Sequence, residues 1–321
     1  METVELVKYP ITLEDFLKED IPEVEYIIKP VLPRQGKLLI SAHQGSCKTF
    51  LALNLACAIA SGLSPYLQEI EIKQAKVLCI LGEGGEAELR RRLDPMANRP
   101  GINTQNLVLD YNPSLDLASC ESREILEKNV ANIKPEVLIL EPIGQLWAGN
   151  EIDKEEVREL TKYLDSLIDK YYLTLIITHH WKKPSRDISS GGQMASGSYW
   201  WTAWVDGHIT LKGKHDNLTL AFDKVRSGIK PDEGLIIRLR EEDFWLEYIR
   251  GVDNKINDRD LDCIFSSFGQ DEVKLVDLAS AAETKGVCVR NTLEKAIRQS
   301  TKYKIDKTKT RCFYVSRVRE A

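Results

Sequence analysis

Residues 37–50 read Lys-Leu-Leu-Ile-Ser-Ala-His-Gln-Gly-Ser-Cys-Lys-Thr-Phe. An apolar run of strand length, 37–41, gives way to a short polar stretch holding Gly45 and Ser46. Lys48-Thr49 follows, and then a Leu- and Ala-rich segment of helical length, 49–61. Strand, glycine-bearing turn and helix in that order turn backbone N–H groups toward an anion at a helix N-terminus. The matching pattern is G-x-x-x-x-G-K-[ST], in which the lysine reaches the β- and γ-phosphates and the hydroxyl binds magnesium. On that pattern Gln44, Gly45, Ser46, Cys47, Lys48, Thr49 and Phe50 are expected to hold the phosphates of ATP, with Thr49 a ligand of Mg2+. Both glycines of the pattern are replaced, by Ala42 and Cys47. Ala42 adds one methyl group. Cys47 falls close to the phosphates, where a side chain crowds the ligand or imposes backbone strain of about 1–3 kcal/mol. A thiol beside Lys48 at a helix N-terminus is also expected to have a lowered pKa, which opens redox gating beside the plainer reading of an inert small residue.

Outward from this stretch, apolar runs alternate with helical patterns. Strands are expected at 37–41, 76–81, 107–110, 136–140 and 173–178, and again at 207–212, 217–224 and 235–239. Helices are expected at 49–61, 86–96, 122–132 and 154–170. Runs such as Val-Leu-Ile-Leu (137–140) are apolar on both faces, as in a parallel sheet covered by helices. The rhythm predicts a doubly wound α/β sheet with its ligands at the carboxyl ends of the strands. Three of those ends carry candidate groups. Glu141 closes the strand 136–140, where a carboxylate can hold Mg2+. Glu83 stands between Gly82 and Gly84, placed to polarise an attacking water. His179, before His180, follows the strand 173–178, where a donor can sense the terminal phosphate; no third ligand at helical spacing suggests a metal there.

The chain of 321 residues is 43% hydrophobic and 29% charged, enough for one large core and a small second unit. No run of apolar residues is long enough to span a membrane, and the N-terminus lacks the basic start and apolar run of a secretory signal. The seven cysteines show no C-x-x-C pair, which predicts a reduced, cytoplasmic protein. Net charge is −5, yet residues 255–321 hold 14 Lys and Arg against 10 Asp and Glu. An acidic body with a mildly basic tail hints at nucleic acid. In the tail, helices are expected at 258–268, 274–285 and 289–300, followed by strands at 302–306 and 311–315. That order reads as a winged-helix-like unit whose third helix would offer Arg290, Asn291, Lys295, Arg298 and Gln299 to duplex DNA.

Together these segments resemble the RepA-like, AAA-type ATPases of the RecA superfamily, relatives of hexameric DnaB-type helicases. The resemblance spans 27–239. It rests on the lead from Ile28 through Pro33-Arg34-Gln35-Gly36, the P-loop, Glu83 before Leu89-Arg90-Arg91-Arg92-Leu93, the strand ending at Glu141, and Ile176–His180. The family's arginine before the next aspartate is absent, since residues 195–198 read Ala-Ser-Gly-Ser ahead of Asp206. What the resemblance implies is a RecA-like P-loop core at 27–252, between an N-terminal arm (1–26) and the winged-helix-like unit (253–321). Lys224 and Arg226 match a K-x-R pair that enters the neighbouring subunit's site in such rings. The implied function is an ATP-hydrolysing, helicase-like ring, a hexamer, acting in replication of a plasmid or mobile element. Single-stranded DNA is expected at 185–201, which contains Arg186, Tyr199, Trp200 and Trp201 and follows Lys182 and Lys183; burial of these aromatics in the subunit core or the ring interface is the equal alternative. The altered glycines keep a second reading open, a catalytically weak nucleotide-binding initiator, loader or DNA-binding regulator. A P-loop kinase fits less well, for want of a lid-like arginine-rich insertion.

Overall fold

The computed structural model describes residues 10–63, 71–151, 153–180, 199–214, 217–226, 228, 234–251, 258–270, 272–284, 293–294, 297–298, 300, 302–306 and 313–317. In chain order the elements are α1 (Leu13–Phe16), β1 (Tyr26–Ile28), β2 (Leu32–Pro33), β3 (Lys37–Ala42), α2 (Lys48–Ser61), β4 (Val77–Leu81), α3 (Glu86–Ala97) and β5 (Leu107–Tyr111). Next come α4 (Cys120–Ile133), β6 (Val137–Glu141), α5 (Ile143–Leu146), α6 (Lys154–Tyr171), β7 (Thr174–His180), α7 (Tyr199–Trp204), β8 (Gly207–Lys214), β9 (Asn217–Val225), β10 (Leu235–Leu239) and β11 (Leu246–Gly251). The tail holds α8 (Asp258–Ser266), β12 (Glu272–Lys274), α9 (Leu275–Thr284), β13 (Tyr303–Asp306) and β14 (Tyr314–Arg317).

Nine strands form the central sheet in the order β11-β10-β9-β8-β3-β7-β6-β4-β5. From β8 to β5 every pairing is parallel, and from β8 to β11 every pairing is antiparallel. This is the expected α/β class, a RecA-like core with a mostly parallel sheet. Strand β11 was not legible as a strand, because Leu246-Glu247-Tyr248-Ile249 mixes polar and apolar residues without clean alternation.

Alternation along the parallel strands divides the core in two. Leu38, Ile40, Cys79, Ile139 and Ile176 pack on the face that carries α2, while Leu39, Leu78, Leu138, Leu175 and Ile177 pack on the face that carries α6. Helix α2 is buried on all sides, with Leu51 through Ala60 inaccessible to solvent. Among these apolar residues stands Asn54, fully buried. Its Nδ2 donates to the carbonyls of Phe50 (2.8 Å) and Phe244 (3.0 Å), and its Oδ1 accepts from the Leu246 amide at 2.8 Å. One side chain thereby fastens the turn before β11 to the helix after the phosphate loop.

The tail strands make a separate antiparallel sheet, order β12-β14-β13, over a small core of Leu261, Ile264, Leu278, Leu293, Ile297 and Val315. The basic face expected at 289–300 lies mostly outside the described residues.

Asn54→Leu keeps the volume and leaves the Phe244 carbonyl and Leu246 amide unpaired. Its cost is expected to be about 2–4 kcal/mol, since each buried unpaired group costs about 1–3. A lower urea midpoint at unchanged slope would register it.

Candidate functional site: a P-loop cleft with an aromatic and arginine wall

At the carboxyl end of β3 the chain turns through 43–47 into α2. Gly45 takes φ +82° in open space, and the Ser46 amide donates to the His43 carbonyl at 3.1 Å. Cys47 is the N-cap of α2 and lies in the left-handed region, φ 58° and ψ 23°, with no side-chain capping bond. Its position therefore needs the conformation glycine adopts freely, and the pattern's glycine is explained by the backbone itself. Burial pushes the Cys47 thiol up to about 11, against a smaller opposing pull from Arg92. The expectation of an acidified, redox-ready thiol is thus corrected: burial outweighs the pull of the one cation that lowers it, Arg92.

Lys48 and Glu141 meet beneath the loop, both almost sealed from solvent. Lys48 Nζ lies 3.3 Å from Glu141 Oε1 and donates to Thr178 Oγ1 at 3.1 Å. Thr49 Oγ1 donates to the same Glu141 Oε1 at 2.9 Å. Strand β7 lies between β3 and β6, which is why Thr178 stands between the lysine and the carboxylate. Burial pulls the Lys48 ammonium below the ordinary lysine value, and Glu141 and then Glu83 hold it back up. Glu141 Oε2 is buried with no hydrogen-bond partner. A hydroxyl and an unsatisfied carboxylate oxygen side by side suit a hard cation such as Mg2+. Among the described residues no group of three or more His, Cys, Asp or Glu could hold a metal alone. Such a cation would need ligand oxygens from elsewhere.

Above this pair opens a cleft of about 700 Å³. Gln44, Gly45, Cys47, Lys48, Thr49 and Phe50 line it, and so does Glu83; Ser46 is buried within the loop and does not. Burial, then the Glu141 charge, raises the Glu83 carboxyl above the ordinary carboxylate range. His43, which the pattern did not single out, also lines the cleft. The expected sensor His179 is not part of it. Thr178 and His180 share the α2 face of β7, so His179 turns to the other face, against Trp201 at 6.0 Å with Glu151 Oε1 3.3 Å from its Nε2. His180 takes the cleft side, where burial, then the Lys48 charge, lowers its imidazole below the ordinary histidine value.

The far wall was invisible in the sequence. Phe50 and Phe244 stand 5.3 Å apart, with the Arg92 guanidinium over Phe50 (4.9 Å) and that of Arg91 over Phe244 (5.1 Å). Glu88 fixes both arginines from one turn below, and their hydrogen bonds hold its carboxyl down to about 2. Phe244 has φ 53° in a turn tied by Arg240, Asp243 and Arg99. A flat ring flanked by guanidinium groups suits a nucleobase. Only the proximity of 240–244 to α2, across some 190 residues, makes this wall, and no local pattern announces it.

Lys224 and Arg226 lie elsewhere. Lys224 pairs with His208, three residues back along β8 from Leu211, the partner of Ala42 before the loop, so both sit toward the opposite edge of the sheet. Lys224 Nζ donates to the carbonyls of Thr202 (2.7 Å) and Ala203 (3.1 Å). Arg226 donates to Ala203 O at 3.0 Å and pairs with Asp206 at 3.1 Å. Residues 181–198, with Lys182, Lys183 and Arg186, lie outside the described residues. Of the aromatics expected to stack on DNA, Trp201 is fully buried between Trp147 and Trp204, which removes it from that role; Trp200 is exposed, under Lys154 Nζ at 4.5 Å.

A family model described as AAA domain matches residues 3–186. The chain belongs to this AAA family. The match takes in the P-loop, Glu83, Glu141 and β7 and ends at residue 186. Among solved structures, the crystal structure of a KaiC-like protein from the hyperthermophilic archaeon Pyrococcus horikoshii OT3 is similar at 14% identity and a TM-score of 0.46, over 70% of this chain and 93% of that one. No curated protein matches the chain. Among the described residues of this AAA protein, no helix is long and apolar enough to cross a membrane.

At an ordinary helical position alanine is more stabilising than glycine by about 1 kcal/mol. At position 47 the order should invert: Cys47→Gly is expected to exceed Cys47→Ala by about 1 kcal/mol in unfolding free energy, because glycine takes φ 58° without the cost a Cβ brings there. Urea unfolding of the two variants checks it.

Proposed function

We propose that this AAA protein binds ATP with Mg2+ in the P-loop cleft and hydrolyses it as a helicase-like ring acting on DNA. The observation that carries the reading is the convergence of Lys48, Thr49, Thr178 and Glu141 beneath a cleft whose rim holds Glu83 and whose far wall is aromatic. Lys48 and the open amides of the loop bind and orient the phosphates. Mg2+, held by Thr49 and Glu141, would neutralise charge on the phosphate oxygens. Glu83, with its raised affinity for a proton, accepts one from the attacking water. Phe50, Phe244, Arg91 and Arg92 line the wall that the base would meet.

Assembly is supported by the position of Lys224 and Arg226. They lie away from the phosphate loop of their own chain, so any action on phosphate requires a second copy. Hexamer size, the replication setting and single-stranded DNA along 185–201 are carried by resemblance, with Trp200 the one exposed described aromatic at that loop's end. A winged-helix-like unit at 253–321 that engages duplex DNA is supported by the order of α8, β12, α9, β13 and β14. One observation favours the second reading, a catalytically weak nucleotide-binding initiator or loader: a side chain stands at Cys47, where the left-handed backbone favours glycine.

Steady-state hydrolysis with Mg2+, with and without single-stranded DNA, separates the two. The motor reading expects turnover that rises with DNA and falls at least a hundredfold in Lys48→Ala, as loss of transition-state charge stabilisation commonly does, by about 10²–10³. Binding without turnover, in the parent and in Cys47→Gly, selects the second reading.

The acid limb of the same activity reports on Glu83. Its carboxyl must be ionised to accept a proton and is raised above the usual range, so turnover should fall as pH drops through a value higher than that of a free glutamate. Glu83→Gln is expected to lose about 10²–10⁴ in kcat and to lose that limb.

A further inference from the structure

We propose that Lys214 binds the diphosphate part of the nucleotide within its own subunit, on the side from which the leaving group departs. The proposal rests on the nucleotide reading above and goes beyond it in naming a phosphate ligand from the antiparallel half of the sheet. The lysines and arginines that line the cleft are Lys48, Arg91, Arg92, Lys214 and Arg240. All but one are committed to carboxylates. Lys48 is held by Glu141, Arg91 and Arg92 by Glu88, and Arg240 by Glu242 and Asp243. Lys214 is exposed at the end of β8, with no carboxylate partner among the described residues. An ammonium without a counter-charge gains most from a ligand that brings negative oxygens.

The register of the sheet carries Lys214 past the loop. Ala42, the last residue of β3, pairs with Leu211, and β8 continues in the same direction through Lys212, Gly213 and Lys214. At about 3.3 Å per residue, Lys214 stands about 10 Å beyond the end of β3, where the chain has already turned into 43–47. The tip is tight, since Gly213 has φ +106° and a Cβ there would run into the Asn217 carbonyl oxygen. Strand order then fixes the side. β8 flanks β3 on one side, while β7, β6 and β4 lie on the other, and Glu83 follows β4. Lys214 and Glu83 therefore face the loop from opposite sides. Water that gives its proton to Glu83 bonds to the terminal phosphorus in line with the bridging oxygen, whose bond to that phosphorus breaks. The diphosphate keeps the electron pair, on the Lys214 side, and an ammonium there meets the developing charge.

The test is calorimetric titration of the full chain, Lys214→Met and Lys214→Arg with ADP and with the non-hydrolysable imido analogue of ATP, both in Mg2+. Thermal unfolding of each variant confirms that it is folded. Lys214→Met is expected to weaken both ligands alike, by about tenfold, which is about 1.4 kcal/mol. Lys214→Arg is expected to restore most of that loss. Glu241 lines the same cleft and is the carboxylate that would compete for Lys214. In Glu241→Gln, ADP affinity is expected to hold or rise. Unchanged ADP affinity in Lys214→Met overturns the proposal; a loss confined to the imido analogue does so by placing the lysine on the terminal phosphate. Equal loss in Glu241→Gln also overturns it, because the two then act as a pair that closes the cleft. A parent that binds neither ligand removes the nucleotide reading, and this proposal with it; a parent that binds both, matched by Lys214→Met, removes the proposal alone.

Discussion

A lysine ammonium with 3% of its side chain exposed is costly in a protein interior without a carboxylate at hand, and the carboxylate here belongs to β6, 93 residues away. The pair forms only if β3 and β6 run parallel with β7 between them, bringing the ends of all three strands to one edge. It also requires α2 to begin at Lys48 and nowhere else. The left-handed turn at Cys47, the buried helix and the order of the strands are conditions of one contact. The polar groups at that edge, Thr49, Thr178 and Glu141, are what the sheet leaves for chemistry once its apolar alternation is spent.

Much of this was legible because the deciding signals are local. Residues 37–61 announce strand, loop and helix through composition alone, and the apolar runs at 137–140 and 173–178 are too short and too continuous for anything but buried strands. Glu83 and Glu141 were found because a charged residue closing such a run has few places to be except a strand end. Phase was harder. In β7 two adjacent histidines lie on opposite faces, and choosing between His179 and His180 requires knowing that Thr178 faces α2. Trp201 shows the same limit: an aromatic near a basic segment reads equally as a stacking platform or as core until its cluster with Trp147 and Trp204 is seen.

What the sequence could not offer was the aromatic and arginine wall. Phe244 lies in a short irregular turn after β10, in a conformation unusual for its residue type, and its neighbours Phe50, Arg91 and Arg92 come from two helices much earlier in the chain. Asn54 in the middle of an apolar helix was the one local sign that something polar had to be met there. A fully buried amide inside α2 needs partners, and they proved to be the backbone of 244 and 246.

The antiparallel half of the sheet therefore has a bearing on how the molecule is made. A chain emerging from the ribosome has delivered every phosphate-side group by the end of β7, but it owns only one wall of the cleft until residues 240–246 appear. Before then the Asn54 amide lacks its partners at Phe244 and Leu246, and α2 has no β11 to close over it. Vectorial synthesis thus completes the cleft last among the features of the core, after β8 and β9 have extended the sheet. Small ligands that need both walls cannot assist the early folding of this chain, and their binding becomes a certificate that the core has been finished.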